Sequence, residues 1–450
     1  MRALTLIREP AFGHAVACHQ KGKLEEAVLA YESLLAGPLG SDPHLQFAIG
    51  SAFAQLGRFG LAVDFLQRSV DGQPNNHEAW SNLGLSYRTL GLVPKAIVCH
   101  ERALGLPMTA DAKAGVLANL SGCYVNEGNP AKAISYAEMG LALKDMPQLH
   151  NHRALGLLEL GQYAEGFAGY EQRVRLPEYT PRDYGSIPRW DGKETARLAI
   201  HGEQGLGDEI LFLTGLKRVL ERTSGEIHVE CAKRLVGLLR HSFRDTPRLK
   251  FHPDHVALMS AVTPTAWVQM GSLYHYLGGF DRWTYLDPSR KFKKPAGKRV
   301  GLSWRGGTLR THEYYRNGPL DVWKPLVREL RKAPGVEPVS VQYGPADEMA
   351  RELGIEHDAA SIADLDSLTG YLQSCDLVVT VCNTTVHLCG ASGVPCIVLV
   401  PSKPAWRYAL TGDRSDWYDS VRYVRQIGDE DWARVMARVL DHELVAGVTA

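Results

Sequence analysis

An aspartate in a glycine-rich turn is the residue of this chain best suited to chemistry. The stretch His201-Gly202-Glu203-Gln204-Gly205-Leu206-Gly207-Asp208-Glu209 follows the apolar run 198–200 and opens a helix-like pattern that reaches about Arg222. Glycines let backbone amides approach a ligand closely, and a helix start adds partial positive charge. Asp208 in such a place is a candidate general base for a substrate hydroxyl. The competing role is a helix cap, worth about 1 kcal/mol. Gly205 and Gly207 shape the loop, Glu203 is expected to support it, and Glu209 is expected to face solvent.

Val381-Cys382-Asn383-Thr384-Thr385-Val386-His387 is the second constellation, a strand end running into a helix start near Thr384. The amides and hydroxyls of Thr384 and Thr385 suit a diphosphate, because a helix N-terminus favours anions. His387, about one turn further, can donate to a phosphate or sugar oxygen, or can simply pack. In Ser303-Trp304-Arg305-Gly306-Gly307, Arg305 can neutralise a leaving diphosphate. Arg310 and Arg316 follow on the loop and either assist it or are solvated. Gln342 ends another strand, as a candidate contact for a base or ribose. Trp406 and Arg407 either line the mouth of a cleft or cap the core.

Short apolar strands alternating with amphipathic helices must hold these residues, the pattern of parallel sheets. One lobe, 197–297, is expected to use strands at 198–201, 227–231, 249–252 and 267–270. A second, 298–450, restarts at 299–304 and continues through 338–342, 376–381, 396–400 and 421–424. Its helices are expected at 322–332, 347–353, 365–373, 384–391 and 429–442. The basic stretch 291–298 reads as the hinge between lobes. Ligands of open α/β sheets bind at the carboxyl ends of the strands, so two such lobes imply a shared cleft.

Residues 1–175 have another logic. Small residues recur every 33–37 positions at Ala27, Ala62, Ala96, Ala133 and Gly166, each five residues after a glycine: Gly22, Gly57, Gly91, Gly128 and Gly161. Small side chains are needed where two antiparallel helices touch, and glycine where they turn. With Trp80-Ser81-Asn82-Leu83-Gly84 as the clearest copy, this pattern resembles the tetratricopeptide repeat. It implies a helical solenoid with a concave face. Asn82 and Asn119 share one register in successive repeats. As acceptor-binding candidates their amides can grip an extended peptide backbone, since each both donates and accepts. The proline-rich and charged segment 176–196 reads as a linker wrapping onto the next domain.

Lys plus Arg and Asp plus Glu each number 50, so no bulk field favours nucleic acid or anionic membrane. There is no apolar run near the ~20 residues of a spanning helix and no signal-peptide core, which implies a cytoplasmic protein. Cys375, Cys382, Cys389 and Cys396 recur every seven residues but fall on different elements, so buried reduced thiols are expected rather than a metal site.

Taken together, the chain resembles bacterial proteins in which tetratricopeptide repeats precede a heptosyltransferase-like glycosyltransferase domain. The resemblance rests on Pro188-Arg189-Trp190-Asp191-Gly192, the 202–212 loop, 303–307, 382–395, and the Trp406-Arg407 and Trp417-Tyr418 to Arg425-Gln426 tail. It implies an α-solenoid followed by a GT-B fold of two Rossmann-like lobes. It also implies an inverting, metal-independent transferase with Asp208 as base and no cofactor, the nucleotide-sugar donor being a co-substrate held by the C-terminal lobe. One departure stands out. Where many relatives carry an acid and then a threonine, this chain has Cys382 and Asn383, which implies a donor other than ADP-heptose or a weaker grip on it. The repeats suggest a protein or peptide acceptor, such as a surface or flagellar protein. The alternatives are transfer to a saccharide or lipopolysaccharide, or a scaffold whose transferase domain is degenerate.

Overall fold

The computed structural model describes Leu6 and residues 9–307, 316–344 and 346–449. Two compact units divide it. One comprises Met1–Leu157 with Arg175–Pro177, the other Leu158–Val174 with Glu178–Ala450.

The first unit is a row of antiparallel helix pairs: Pro10–Gln20 with Leu24–Glu32, Pro43–Gln55 with Phe59–Gly72, His77–Thr89 with Val93–Leu104, and Ala110–Asn126 with Pro130–Leu141. Gly22, Gly57, Gly91 and Gly128 have φ between 64° and 79°, the left-handed conformation that ends one helix and aims the chain into the next. Ala27, Ala62, Ala96 and Ala133 are fully buried where the paired helices meet. Space there is scarce. A methyl at Gly84 would stand 2.7 Å from the ring of His100.

The second unit holds two wholly parallel sheets. The first contains β1 (Arg197–His201), β2 (Glu226–Glu230), β3 (Leu249–His252) and β4 (Ala266–Gln269), in the order β3-β2-β1-β4. The second contains β5 (Lys298–Ser303), β6 (Val336–Ser340), β7 (Leu377–Val381), β8 (Cys396–Val400) and β9 (Val421–Arg425), in the order β6-β5-β7-β8-β9. β7 and β8 are buried along their whole length, as sheets covered on both faces require. The core of the second sheet gathers Val300, Leu302, Val379, Ile397 and Leu399 against Trp323, Leu326 and Val435.

In each sheet the strand order reverses beside the first strand. The chain steps from β1 outward to β3 and returns as β4 on the other side, and it steps from β5 to β6 and returns as β7. Such a reversal opens a crevice at the carboxyl ends of the two flanking strands. The helix start after β1 carries Asp208, the loop after β5 carries Arg305, and the helix start after β7 carries Thr384, so all three chemical segments lie at these reversals.

The helix Tyr163–Tyr170 contains the fifth copy of the repeat pattern, yet it belongs to the α/β unit. Phe167 lies 4.9 Å from the ring of Tyr274 and 5.9 Å from that of Trp406, and Tyr163 lies 5.0 Å from that of Phe280. The unit boundary at Leu158 therefore departs from the expected one at 175. Part of the expected linker extends the first sheet: Trp190 N–H donates to Trp267 O (2.8 Å) and Trp267 N–H to Pro188 O (3.1 Å), beside the edge of β4.

Candidate active site

The loop after β1 is tied down residue by residue. Glu203 forms ion pairs with the buried guanidinium of Arg173 and accepts from Gly271 N–H at 2.7 Å, which anchors the loop to the end of β4. Gln204 holds a left-handed φ of 67°, unusual without glycine, and its amide donates to Tyr170 Oη at 2.5 Å. Gly205 caps the helix Leu206–Phe212, and its N–H donates to Asp208 Oδ2 at 3.3 Å. Asp208 thus does serve the helix start, with its other oxygen turned elsewhere. Glu209 contradicts the solvent-facing expectation: it is buried, accepting from Ala232 N–H at 2.8 Å. Burial raises its pKa to about 7, with Glu230, Asp208 and Glu203 adding to the rise.

Asp208 Oδ1 is paired with Arg407 Nη2, which comes from the segment after β8. Each side chain keeps about a sixth of its surface exposed (18% and 16%). Gly207 lies directly against His387, so that a methyl there would stand 2.8 Å from His387 Cδ2. The glycine at 207 is needed for this approach of backbone to ring. The carboxylate of the first lobe and the helix start of the second therefore meet within one unit.

On the second lobe the expected contacts sort themselves differently. Arg305 is exposed and its backbone N–H donates to Gln342 Oε1 at 2.8 Å. Gln342 Oε1 also accepts from Trp304 N–H (3.0 Å) and Ser303 Oγ (3.2 Å), so this amide is spent holding the end of β5 rather than facing a base or ribose. Thr384 is the first residue of the helix Thr384–Ser392 and is half-buried. Thr385 is fully buried, and its Oγ1 has no partner among the described residues. His387 is buried with Nδ1 3.2 Å from Tyr418 Oη. Burial, and then Arg407, push its pKa down to about 3, so its ring is neutral at physiological pH. Arg316 Nη1 reaches Cys382 O at 3.5 Å. Arg310 lies outside the described residues.

Two residues carry more than their sequence context indicated. Asn383 caps the helix by accepting from Thr385 N–H (2.9 Å), while its NH2 donates to Ser303 Oγ (2.9 Å) and Arg305 O (3.2 Å). One acceptor and two donors are used at once, a set that a side-chain amide supplies and a single hydroxyl does not. Cys382 is buried, its Sγ 3.7 Å from Leu399 O. All eight cysteines are free and buried, and no group of His, Cys, Asp and Glu suited to a metal ion occurs among the described residues. Arg407 is the other, an alternative for the cleft mouth in the sequence and a direct partner of Asp208 in the fold. Its signal in the sequence is the Trp406-Arg407 pair that follows Pro401 and Pro404.

In the repeat unit, Asn82 Nδ2 donates to Ser51 Oγ at 3.0 Å and Asn119 Nδ2 to Ser81 Oγ at 3.3 Å. Each amide is thus oriented by a serine of the preceding repeat. Two cavities of about 490 and 470 Å3 share Phe47 and Asn82 in their walls, and Asn119 lines the second.

The tetratricopeptide repeat family matches residues 20–77 and 47–105, so the N-terminal region is built of such repeats. Over 94% of its length the chain is similar to the protein FlbA of Caulobacter vibrioides, with 27% identity, covering 82% of that protein. Among solved structures it is similar to MamA (20% identity, 36% of this chain and 92% of that one, TM-score 0.33). It is also similar to PilF of Pseudomonas aeruginosa (18% identity, 38% and 76%, TM-score 0.33). No helix among the described residues is long and apolar enough to cross a membrane.

Proposed function

We propose that the α/β unit is an inverting glycosyltransferase of GT-B type, moving a sugar from a nucleotide-sugar donor to a hydroxyl of a protein or peptide held by the repeats. The observation that carries this reading is the meeting of Asp208, on the loop after β1, with Arg407 and the His387 helix at the facing strand reversal. In the reaction the acceptor oxygen attacks the anomeric carbon and the bond from that carbon to the donor phosphate breaks. The acceptor proton passes to Asp208, and the bonding electrons leave with the phosphate. Cationic and dipolar groups at the second lobe steady that leaving charge in place of a metal: Arg305, the amides of Thr384 and Thr385, and the helix start. Neutral His387 packs the Gly207 backbone and so sets the distance between base and cradle. Gln342 belongs to the framework of the site rather than to its contacts.

The amides of Asn82 and Asn119 support an acceptor that is a peptide, because both line one cavity and a side-chain amide can both donate to and accept from an extended backbone. The test is transfer from a panel of nucleotide sugars to a co-expressed acceptor, read by intact mass. Asp208→Asn is expected to slow transfer on the order of 10²–10⁴-fold, the usual worth of a general base. Full turnover by the folded variant removes Asp208 from the role.

A further inference from the structure

We infer that Arg407 is an anion-receiving residue, and that Asp208 is the counter-ion it gives up when a phosphate-class anion binds. This deepens the transferase reading and rests on it for the identity of the anion as the donor's phosphates.

The charge around the end of β7 is unbalanced. Arg316, Arg425 and Arg407 all bear on Cys382, drawing its thiol down against the burial that lifts it to about 12. Arg425 is consumed by backbone carbonyls, donating to Tyr408 O and Gly412 O (both 2.6 Å), Ala409 O (2.9 Å) and Thr411 O (3.0 Å). Arg316 reaches one carbonyl at the limit of a hydrogen bond. Arg407 is answered by the Asp208 carboxylate through Nη2, while its Nε is buried with no partner among the described residues. The hydroxyl of Thr385 is a second buried polar atom without a partner among the described residues, on the helix that starts beside this cluster. A guanidinium carries five donors in a rigid fork suited to phosphate oxygens, so a site that uses one edge on a carboxylate and leaves Nε idle is incomplete.

A bound phosphate completes it. The anion takes the fork of Arg407, and the carboxylate of Asp208, now released from its cation, becomes free to accept a proton. Without the anion the same carboxylate is occupied by the guanidinium of Arg407. The consequence is an order of events: the donor binds first, and only then does the acceptor meet an available base. Premature acceptor activation in an empty site is thereby avoided.

Inorganic pyrophosphate is the probe, with the full chain titrated by calorimetry at fixed ionic strength. Asp208→Asn frees Arg407 from its competitor and is expected to tighten pyrophosphate about tenfold, as removing a competing state populated nine parts in ten does. Arg407→Gln is expected to weaken it at least as much. An Asp208→Asn affinity equal to or weaker than that of the unaltered chain overturns the inference, as does an unchanged affinity in Arg407→Gln. Should either variant fail to fold, hydrogen exchange on the unaltered chain decides: pyrophosphate should speed exchange across 205–210 while slowing it across 384–408. Slowing in both, or change in neither, overturns it. Exchange of counter-ion without any sugar transfer would sink the transferase reading alone, and sugar transfer without the tightening would sink this inference alone.

Discussion

Asp208 and Arg407 stand 199 positions apart in the chain and share one ion pair, the carboxylate entering from the first parallel sheet and the guanidinium from the second. The pair does two kinds of work. It joins two lobes whose sheets are separate, and it holds the candidate base in its resting state. Partners this well buried stabilise little as a pair but cost much when one is left alone, because the survivor has been taken out of water.

Arg407→Met is therefore expected to lower stability by about 2–4 kcal/mol, below the full value for a completely buried pair since water reaches a sixth of each partner. Urea unfolding of the unit gives the number. A loss under 0.5 kcal/mol would mean that the pair is a surface contact in energetic terms.

Asn383 poses a test of chemistry at constant shape. Asn383→Asp keeps the capping oxygen but removes both donors and sets a carboxylate against the carbonyl of Arg305. A buried group left unsatisfied costs about 1–3 kcal/mol, and more when it is charged, so the variant is expected to lose about 2–4 kcal/mol. It is also expected to loosen the junction of β5 with β7. If Asn383→Asp instead melts at the original temperature, the amide is not the node of the two loops.

Stability should also fall toward alkaline pH, because the fold buries carboxyl groups in their protonated form. Glu159, at the end of the helix Pro147–Glu159, is buried with no partner for Oε2 among the described residues, and burial raises its pKa from 4.5 to about 8. The folded state thus holds a proton that the unfolded chain releases first. The stability this contributes is complete below about pH 4.5 and is lost as pH rises through about 8. Glu209, raised to about 7, adds in the same direction. His201 and His387, each pushed down to about 3 chiefly by burial, act on the other side: their contribution is present above 6.5 and disappears as pH falls toward 3. Glu159→Gln should melt several degrees above the unaltered chain near pH 9 and gain little near pH 5. An equal shift at both values would assign the effect to packing instead of ionisation.

Much of the architecture was legible because it rests on local rules. The strands came within two residues of their observed bounds, since runs such as Leu377–Val381 and Cys396–Val400 are apolar throughout, as doubly covered parallel strands must be. The helices Asp347–Leu353 and Leu365–Gln373 followed from periodicity alone. The loops 202–209 and 303–307 were found through their glycines and the turn at 381–387 through its strand end and helix start, and the meeting of Asp208 with the His387 helix agrees with the order of strands. Long-range hydrogen bonding escaped. Nothing local tells that Gln342 is spent on three groups of the β5 end, or that Glu209 turns inward to Ala232 N–H. The boundary near 175 failed for a related reason: Gly161 and Gly166 carry the repeat pattern faithfully, while the aromatic side chains between them and Arg173 serve a different core.

This aromatic core fixes where the chain can be cut. Arg173 is buried on Glu203, Tyr170 O and Ser272 Oγ, and Tyr163, Phe167 and Tyr170 cover Tyr274, Trp406 and Trp417. A chain beginning at residue 158 retains every one of these partners and is expected to unfold cooperatively. A chain beginning at 176 exposes the aromatic faces and leaves Glu203 buried without its cation. At about 1.5–3 kcal/mol for each large apolar side chain removed, the loss reaches about 5 kcal/mol or more. That is comparable to the whole stability of many domains, and aggregation or a non-cooperative melt is expected. The two truncations differ by 18 residues, and calorimetric scans of both decide the matter. Equal transitions would show that the helix Tyr163–Tyr170 contributes no stability to the α/β unit, and that the repeats end where the sequence pattern does.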